Sequence, residues 1–394
     1  MKSSNMAKRI AAILFVVIGI LATLEFAFRQ GVWEPLAKPG SYAGQSIMIK
    51  NAVSALGTNQ VDFITIGDSL VGSGLDHERV AAAAKVRGFT HVHVGSGGMH
   101  WMSTDFMIRW VKQQSPKLRN VVIATSVSNY QYAGNGSYEL AIAAPVARPW
   151  NSAWMAESVK FDAGDLRTFG VYSALFQYRD DLRDFVGSPL QRFRDIEWSK
   201  KNGLNEKIIT YPYPAARNLC RVPLASLESC ASFSVTNPED QNLVSQCVHE
   251  YAKERARADY TDYATPNAEA RFGPLRELRR RQIRDLPIAA DARPILVVLM
   301  PVAKVFRESV LPKGIEEWTR FVLKPLEEEG LIEVHDFTRL FDGDASIAID
   351  CSAFHDLYHL NSVGQKVITD KLLPIFESRL YRGQPSGKSP SPKR

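Results

Sequence analysis

The chain is poor in cysteine, with four in 394 residues: Cys220, Cys230, Cys247 and Cys351. No two stand as C-x-x-C, so a thioredoxin-like redox centre or a zinc ribbon has no support. There is no P-loop, no dinucleotide-binding glycine pattern and no zinc-ligand spacing, so no metal or organic cofactor is expected. There is no internal repeat, which removes the solenoid and propeller architectures. A disordered composition is lacking too: 45% of residues are hydrophobic and 23% charged, the balance of a folded protein.

The folded part also has little net charge. The total is +6, but residues 1–9 hold three basic residues and no acid, and residues 382–394 hold four and no acid. Residues 30–381 are left with −1. A nucleic-acid-binding domain concentrates positive charge on its folded surface, so no nucleic-acid partner is expected.

What is present begins with Ile10–Leu24, an unbroken apolar run that Phe26–Phe28 extend towards the ~20 residues needed to cross a bilayer. Lys2, Lys8 and Arg9 precede it and should stay in the cytoplasm. The expectation is a single-pass signal anchor with residues 30–394 periplasmic or extracellular. A cleaved signal peptide is the alternative, although neither Ala22 nor Ala27 makes a clean small-residue site. Export would favour oxidation of at least one pair among Cys220, Cys230 and Cys247, which fall within 28 residues.

Further along, short apolar runs alternate with helical patterns. Val61–Ile66, His91–Val94, Asn120–Thr125, Pro294–Met300 and Ile332–Val334 read as buried strands. Residues 44–56, 76–86, 101–114, 268–286, 315–329 and 361–380 read as helices. This alternation predicts an α/β protein with a parallel sheet. The pattern lapses after the third strand, which marks a long insertion. The expected organisation is residues 1–29 as cytoplasmic N-terminus and anchor, 30–60 as tether, 61–129 and 290–380 as one domain, 130–289 as insertion and 381–394 as a disordered tail.

Gly67-Asp68-Ser69-Leu70 follows the first strand, at the carboxyl edge where open sheets bind ligands. A serine hydroxyl there needs a base to become nucleophilic. Asp356 and His359, three apart, fit that need: the carboxylate would hold one imidazole nitrogen while the other faces Ser69. Gly97, in Gly95-Ser96-Gly97-Gly98 after the second strand, and Asn129 after the third are candidate oxyanion donors, together with the Ser69 N–H. Gly95 or Gly98 could take the place of Gly97 by a small shift.

The ordered set resembles the SGNH, or GDSL, hydrolases. Gly67-Asp68-Ser69-Leu70 is similar to their first block, Gly97 to the second, Asn129 to the third, and Asp356-Leu357-Tyr358-His359 with Leu360, Asn361 and Gly364 to the closing block. His93 stands where many members carry asparagine. The resemblance implies a flavodoxin-like three-layer sandwich, ester chemistry through Ser69, Asp356 and His359, and an oxyanion hole from Ser69, Gly97 and Asn129. The N-terminal anchor and Gly74-Leu75-Asp76 further resemble membrane-anchored SGNH-like proteins that accompany membrane-bound O-acyltransferases, as in alginate O-acetylation and teichoic-acid D-alanylation. That implies acyl transfer, most simply of acetyl, to an exported or cell-surface polysaccharide, with a membrane-bound O-acyltransferase as partner. An acetyl esterase acting on a glycan, or a non-catalytic scaffold in such an assembly, are the competing expectations.

Two features of the insertion stay open on sequence alone. Arg271, Arg276, Arg279, Arg280, Arg281 and Arg284 form either a solvated helix face or a contact for an anionic polymer or lipid headgroups. Tyr211-Pro212-Tyr213-Pro214 is either a rigid loop or a platform for sugar rings.

Overall fold

The computed structural model describes residues 2–125, 136–147, 157, 169–203, 213–221, 240–241, 243–249, 268–288, 294–310, 316–342 and 351–381. Asn129, Tyr211, Cys230 and the tail 382–394 lie outside the described residues. The chain divides into two compact units. One joins residues 1–52 to 134–208, and the other joins 53–133 to 209–394. The stretch between the third and fourth strands is therefore shared between the units.

The larger unit is built on β1 (Phe63–Gly67), β2 (His91–His93), β3 (Asn120–Thr125), β4 (Ile295–Leu299) and β5 (Ile332–Asp336). All pairings are parallel, in the order β2-β1-β3-β4-β5. Every residue of β1 and β4 is buried. Parallel strands lose water on both faces, which is why they appear as continuous apolar runs with no alternation. After β1 the chain lays down β2 on one side, then crosses back to β3 on the other. That reversal leaves a crevice at the carboxyl ends of β1 and β3. Gly67 pairs with Ala124 there, and a Cβ on Gly67 would come within 1.9 Å of the Ala124 carbonyl oxygen, so only glycine lets these strands approach.

The helices fall where the periodicity puts them. His77–Val86, Trp101–Gln114, Ala268–Arg284 and Ser362–Tyr381 are α-helical, and a π-helical turn interrupts the segment before β5 at Thr319–Leu323. The last helix buries Ile368, Leu372 and Phe376, with the Phe376 ring edge-on to Phe63 of β1 at 5.7 Å.

In the smaller unit Lys2–Arg29 is one continuous helix, and its Lys8–Arg29 part is long and apolar enough to cross a membrane. A second helix spans Tyr42–Ala55 and two more run over Arg179–Gly187 and Pro189–Lys201. Phe28, Trp33, Ala43, Ala144, Ala174 and Tyr178 form this unit's own apolar cluster.

Candidate active site

Ser69 opens the short helix Ser69–Gly74 directly after β1. The preceding Asp68 caps that helix, its carboxylate accepting from the Leu70 N–H at 2.9 Å. The cap fixes the strand-to-helix turn, and the Val71 N–H donates to the Asp68 carbonyl at 3.1 Å, so Ser69 stands at the head of that helix.

The closing segment is folded on itself before the last helix. Phe354 and Leu360 form an antiparallel bridge, and the His355 N–H donates to the His359 carbonyl at 2.7 Å. Asp356 divides its two oxygens. Oδ1 accepts from the backbone N–H groups of Tyr358 (2.9 Å) and His359 (2.8 Å), which shapes the turn. Oδ2 lies 2.8 Å from His359 Nδ1, and His359 Nε2 lies 2.8 Å from Ser69 Oγ. An ionised carboxylate only accepts, so Nδ1 carries the imidazole proton and the Nε2 lone pair receives the Ser69 hydroxyl. The remaining positions of this block have structural duties. Buried Asn361 accepts from Val363 and Gly364 N–H at the start of the last helix, and a Cβ on Gly364 would meet the Ala353 carbonyl oxygen at 2.4 Å.

The electrostatics match this tautomer. Burial pushes the His359 pKa down, but the hydrogen bond and charge of Asp356, with a further contribution from Asp68, outweigh it and hold it above the ordinary histidine value. Burial pushes Asp356 up, and its bonds to His359 and Tyr358 outweigh that and hold it below the usual carboxylate range. The arrangement can take the proton from Ser69 and stabilise the imidazolium that results.

Gly97 lies in the turn after β2, at the same edge. The Ser96 N–H donates to the Gly67 carbonyl at 3.0 Å, tying that turn to the residue that precedes Asp68. Gly98 has φ +68, a conformation that favours glycine. Asn129, the third oxyanion candidate, lies outside the described residues.

No family model matches the chain, and no curated protein matches it.

Several neighbours were not legible as site residues. The Tyr213 ring stacks on His355 and is tilted against His359 at 5.8 Å. Burial holds His355 below the ordinary histidine value. The segment 213–221 is fastened along this loop at three points. Ser362 N–H donates to the Tyr213 carbonyl at 2.8 Å, Leu219 N–H donates to the Phe354 carbonyl at 2.8 Å, and Cys220 is disulfide-bonded to Cys351. Cys220 thus pairs across 131 positions and not with a neighbour in the cysteine cluster; strand order, not spacing, brings the partners together. Cys247 is disulfide-bonded as well. Beside Asp356 opens a cavity of about 340 Å³ lined by Arg217, Asn218, Arg221, Asp240, Gln246 and His355.

The described arginines of the run differ in their surroundings. Arg279 is buried, its guanidinium 4.9 Å from the Trp101 ring and donating to Gln282 at 2.7 Å. Arg276 pairs with Glu269, Arg280 with Glu277 and Glu329, and Arg284 with Glu329. The hydrophobic period of the helix did not reveal that one of its arginines turns inward.

Proposed function

We propose that the protein is a membrane-anchored SGNH-type serine enzyme that transfers an acyl group, most simply acetyl, to an exported or cell-surface glycan. The observation that carries the reading is the unbroken chain Ser69 Oγ, His359 Nε2, His359 Nδ1, Asp356 Oδ2, with both hydrogen bonds at 2.8 Å. The strand order 2-1-3-4-5, the order of flavodoxin-like sheets, supports a flavodoxin-like sandwich with the serine at its switch point.

In this mechanism Ser69 Oγ attacks the carbonyl carbon of the acyl donor, and its proton passes to His359 Nε2. Asp356 stabilises the imidazolium. The oxyanion is held by the N–H groups of Ser69 and Gly97, with Asn129 as a third donor. Collapse expels the donor's leaving group, which takes the proton from Nε2 and leaves an acyl-serine. An acceptor hydroxyl then gives its proton to Nε2 and attacks the acyl carbon, and the Ser69 oxygen departs with the proton returned from Nε2. No cofactor enters these steps.

Transfer prevails over hydrolysis only if an acceptor hydroxyl is positioned against water. The cavity beside Asp356, with its guanidinium, amide and carboxylate groups, offers the hydrogen-bonding chemistry of a sugar subsite. The insertion contributes through Arg217, Arg221 and Gln246, in place of the arginine run of 271–284.

The N-terminal helix serves as a single-pass anchor, with the rest of the chain outside the cytoplasm and a membrane-bound O-acyltransferase as the natural acyl supplier. The Cys220–Cys351 disulfide supports that placement, because such bonds persist in oxidising compartments.

The deciding experiment treats the full-length protein with an activated acetyl ester and looks for acetylation of the Ser69 peptide by mass spectrometry. Wild type should form the adduct, while Ser69→Ala and His359→Ala should lose nearly all turnover. The double variant should be little worse than either single one, since the pair acts as a unit. Undiminished activity of the Ser69→Ala protein within its membrane assembly would identify a scaffold. Turnover to free acetate alone, with glycan acceptor present, would identify an esterase.

A further inference from the structure

The smaller unit grips the carboxyl end of its N-terminal helix. Glu25, one turn before that end, accepts hydrogen bonds from Ser173 Oγ (3.0 Å), Ala174 N (2.8 Å) and Leu175 N (3.2 Å). It therefore caps the short helix Ala174–Gln177 from a distant part of the chain. Arg29 pairs with Glu25 and donates to the Tyr172 carbonyl.

A row of rings begins at Phe28, in the last turn of the same helix. Phe28 stacks on Trp33 at 5.1 Å, Trp33 meets Phe185 edge-on at 5.3 Å, and Phe185 meets Phe193 edge-on at 5.9 Å. Two polar ties lock the row in place. Trp33 Nε1 donates to Asp181 at 2.7 Å, and buried Arg192 bridges Asp181 (3.0 Å), Asp184 (2.7 Å) and the Leu36 carbonyl (2.8 Å).

On the helix Pro189–Lys201 the inward face is Arg192, Ile196 and Ser199. At 3.6 residues per turn the opposite face carries Leu190, Arg194, Trp198 and Lys201, with Phe193 at its margin. Leu190 is 73% exposed, Trp198 62% and Phe193 49%, while Val186 and Val32, sequence neighbours of Phe185 and Trp33, are 76% and 63% exposed. Tyr172 and Phe176, beside the Glu25 cap, are exposed as well. Single exposed apolar residues are ordinary, but this group borders a ring row that begins in the last turn of an apolar span.

We infer that this face sits in the headgroup region of the membrane that the N-terminal helix crosses, so that residues 169–203 form an interfacial foot. The inference rests on the membrane-anchor reading above. Three features choose lipid as the occupant. The face belongs to the same compact unit as the span, and Glu25 ties the helix Ala174–Gln177 of that unit, with exposed Phe176, to the last turns of the span. Its exposed Trp, Tyr and Phe are the residues that settle at the membrane–water boundary. Arg194, Lys200 and Lys201 on the same helix have stems long enough to lie along acyl chains while their charges reach phosphates. A foot of this kind holds the unit at a set angle to the membrane.

The test uses full-length protein reconstituted into phosphatidylcholine–phosphatidylglycerol vesicles, with lipids either plain or brominated on the upper acyl carbons. The emission of Trp198 is obtained as the difference between wild type and Trp198→Phe. The protein should float with the vesicles, and the Trp198 emission should lose about half its intensity or more with brominated lipid while staying shielded from aqueous iodide. Flotation with Trp198 unquenched by bromine but quenched by iodide would show a solvated face and overturn the foot alone. Shielding from both quenchers would show a protein partner or second copy on the face, and would overturn it equally. Failure to float would overturn the anchor reading, and the foot with it.

Discussion

The Tyr213 ring lies flat on the imidazole of His355, with 3.9 Å between centroids and 3° between planes. The contact joins the insertion to the loop that carries Asp356 and His359. The stack braces the loop from the Tyr213 side. Tyr213→Ala should lower kcat for a small activated ester by up to about tenfold, the worth of one aromatic pair, while Tyr213→Phe retains the rate. Equal losses in both variants would point to the hydroxyl instead of the stack.

The Cys220–Cys351 bond fastens the same segment covalently. Replacing both cysteines by serine should destabilise the protein by about 2–5 kcal/mol in denaturant unfolding. It should also make the chain between residues 213 and 221 a new site of limited proteolysis. An unchanged midpoint and digest would mean that the two backbone hydrogen bonds suffice.

The activity should follow the protonation of His359. The ring must be neutral to accept from Ser69, and its pKa is held above the ordinary value of 6.5. kcat/KM for a small ester should therefore rise with pH through an inflection above 6.5. Asp356→Asn keeps an oxygen for the Tyr358 and His359 N–H groups but loses the acceptor for Nδ1–H. It should cut the rate by roughly 10⁴ and move the inflection to lower pH. A profile that keeps its inflection in this variant would show that Asp356 does not set the base.

Acid should destabilise the fold by a separate route. His77 stacks on His93 at 3.8 Å, and both rings are buried. Burial pushes His77 down to about 4, and burial with the charge of His77 pushes His91 down to about 3. Burial, then Arg279, pushes His100 down to about 4. Each folded-state value lies below the unfolded one, so the unfolded chain binds more protons between them. The contribution is fully present above about pH 6.5 and is lost as pH falls through the window towards 4. Denaturant midpoints at pH 7, 6, 5 and 4.5 should fall steadily, and a flat series would contradict the burial of these rings.

The cavity beside Asp356 and the arginine helix make opposite predictions. Arg217→Ala with Arg221→Ala should raise KM for a glycan acceptor by about tenfold or more, the worth of a hydrogen bond to a charged group, and leave small-ester hydrolysis unchanged. Arg279→Ala should lower thermal stability, because its contacts with Trp101 and Gln282 are internal. An unaltered acceptor KM in the first variant would place the acceptor elsewhere.

The amino-acid sequence by itself determined the five strands and their parallel class, because a strand covered on both faces must be apolar throughout. It determined the apolar N-terminal helix by the same logic of length and composition. It determined the Asp356–His359 pair too, since two side chains three apart share a turn and need no distant partner. Tertiary structure alone decided what meets across the chain. Ser69 and His359 stand 290 positions apart and touch because β1 and the segment after β5 deliver their carboxyl ends to one edge. Cys220 found Cys351 and not a cluster neighbour for the same reason. Arg279 turned inward because Trp101 and Gln282 wait for it there. Hydrophobic period reports whether a position is covered and says nothing of what covers it. A polar residue buried against a specific partner, or a bond closed over a long loop, becomes visible only when strand order has put both ends in place.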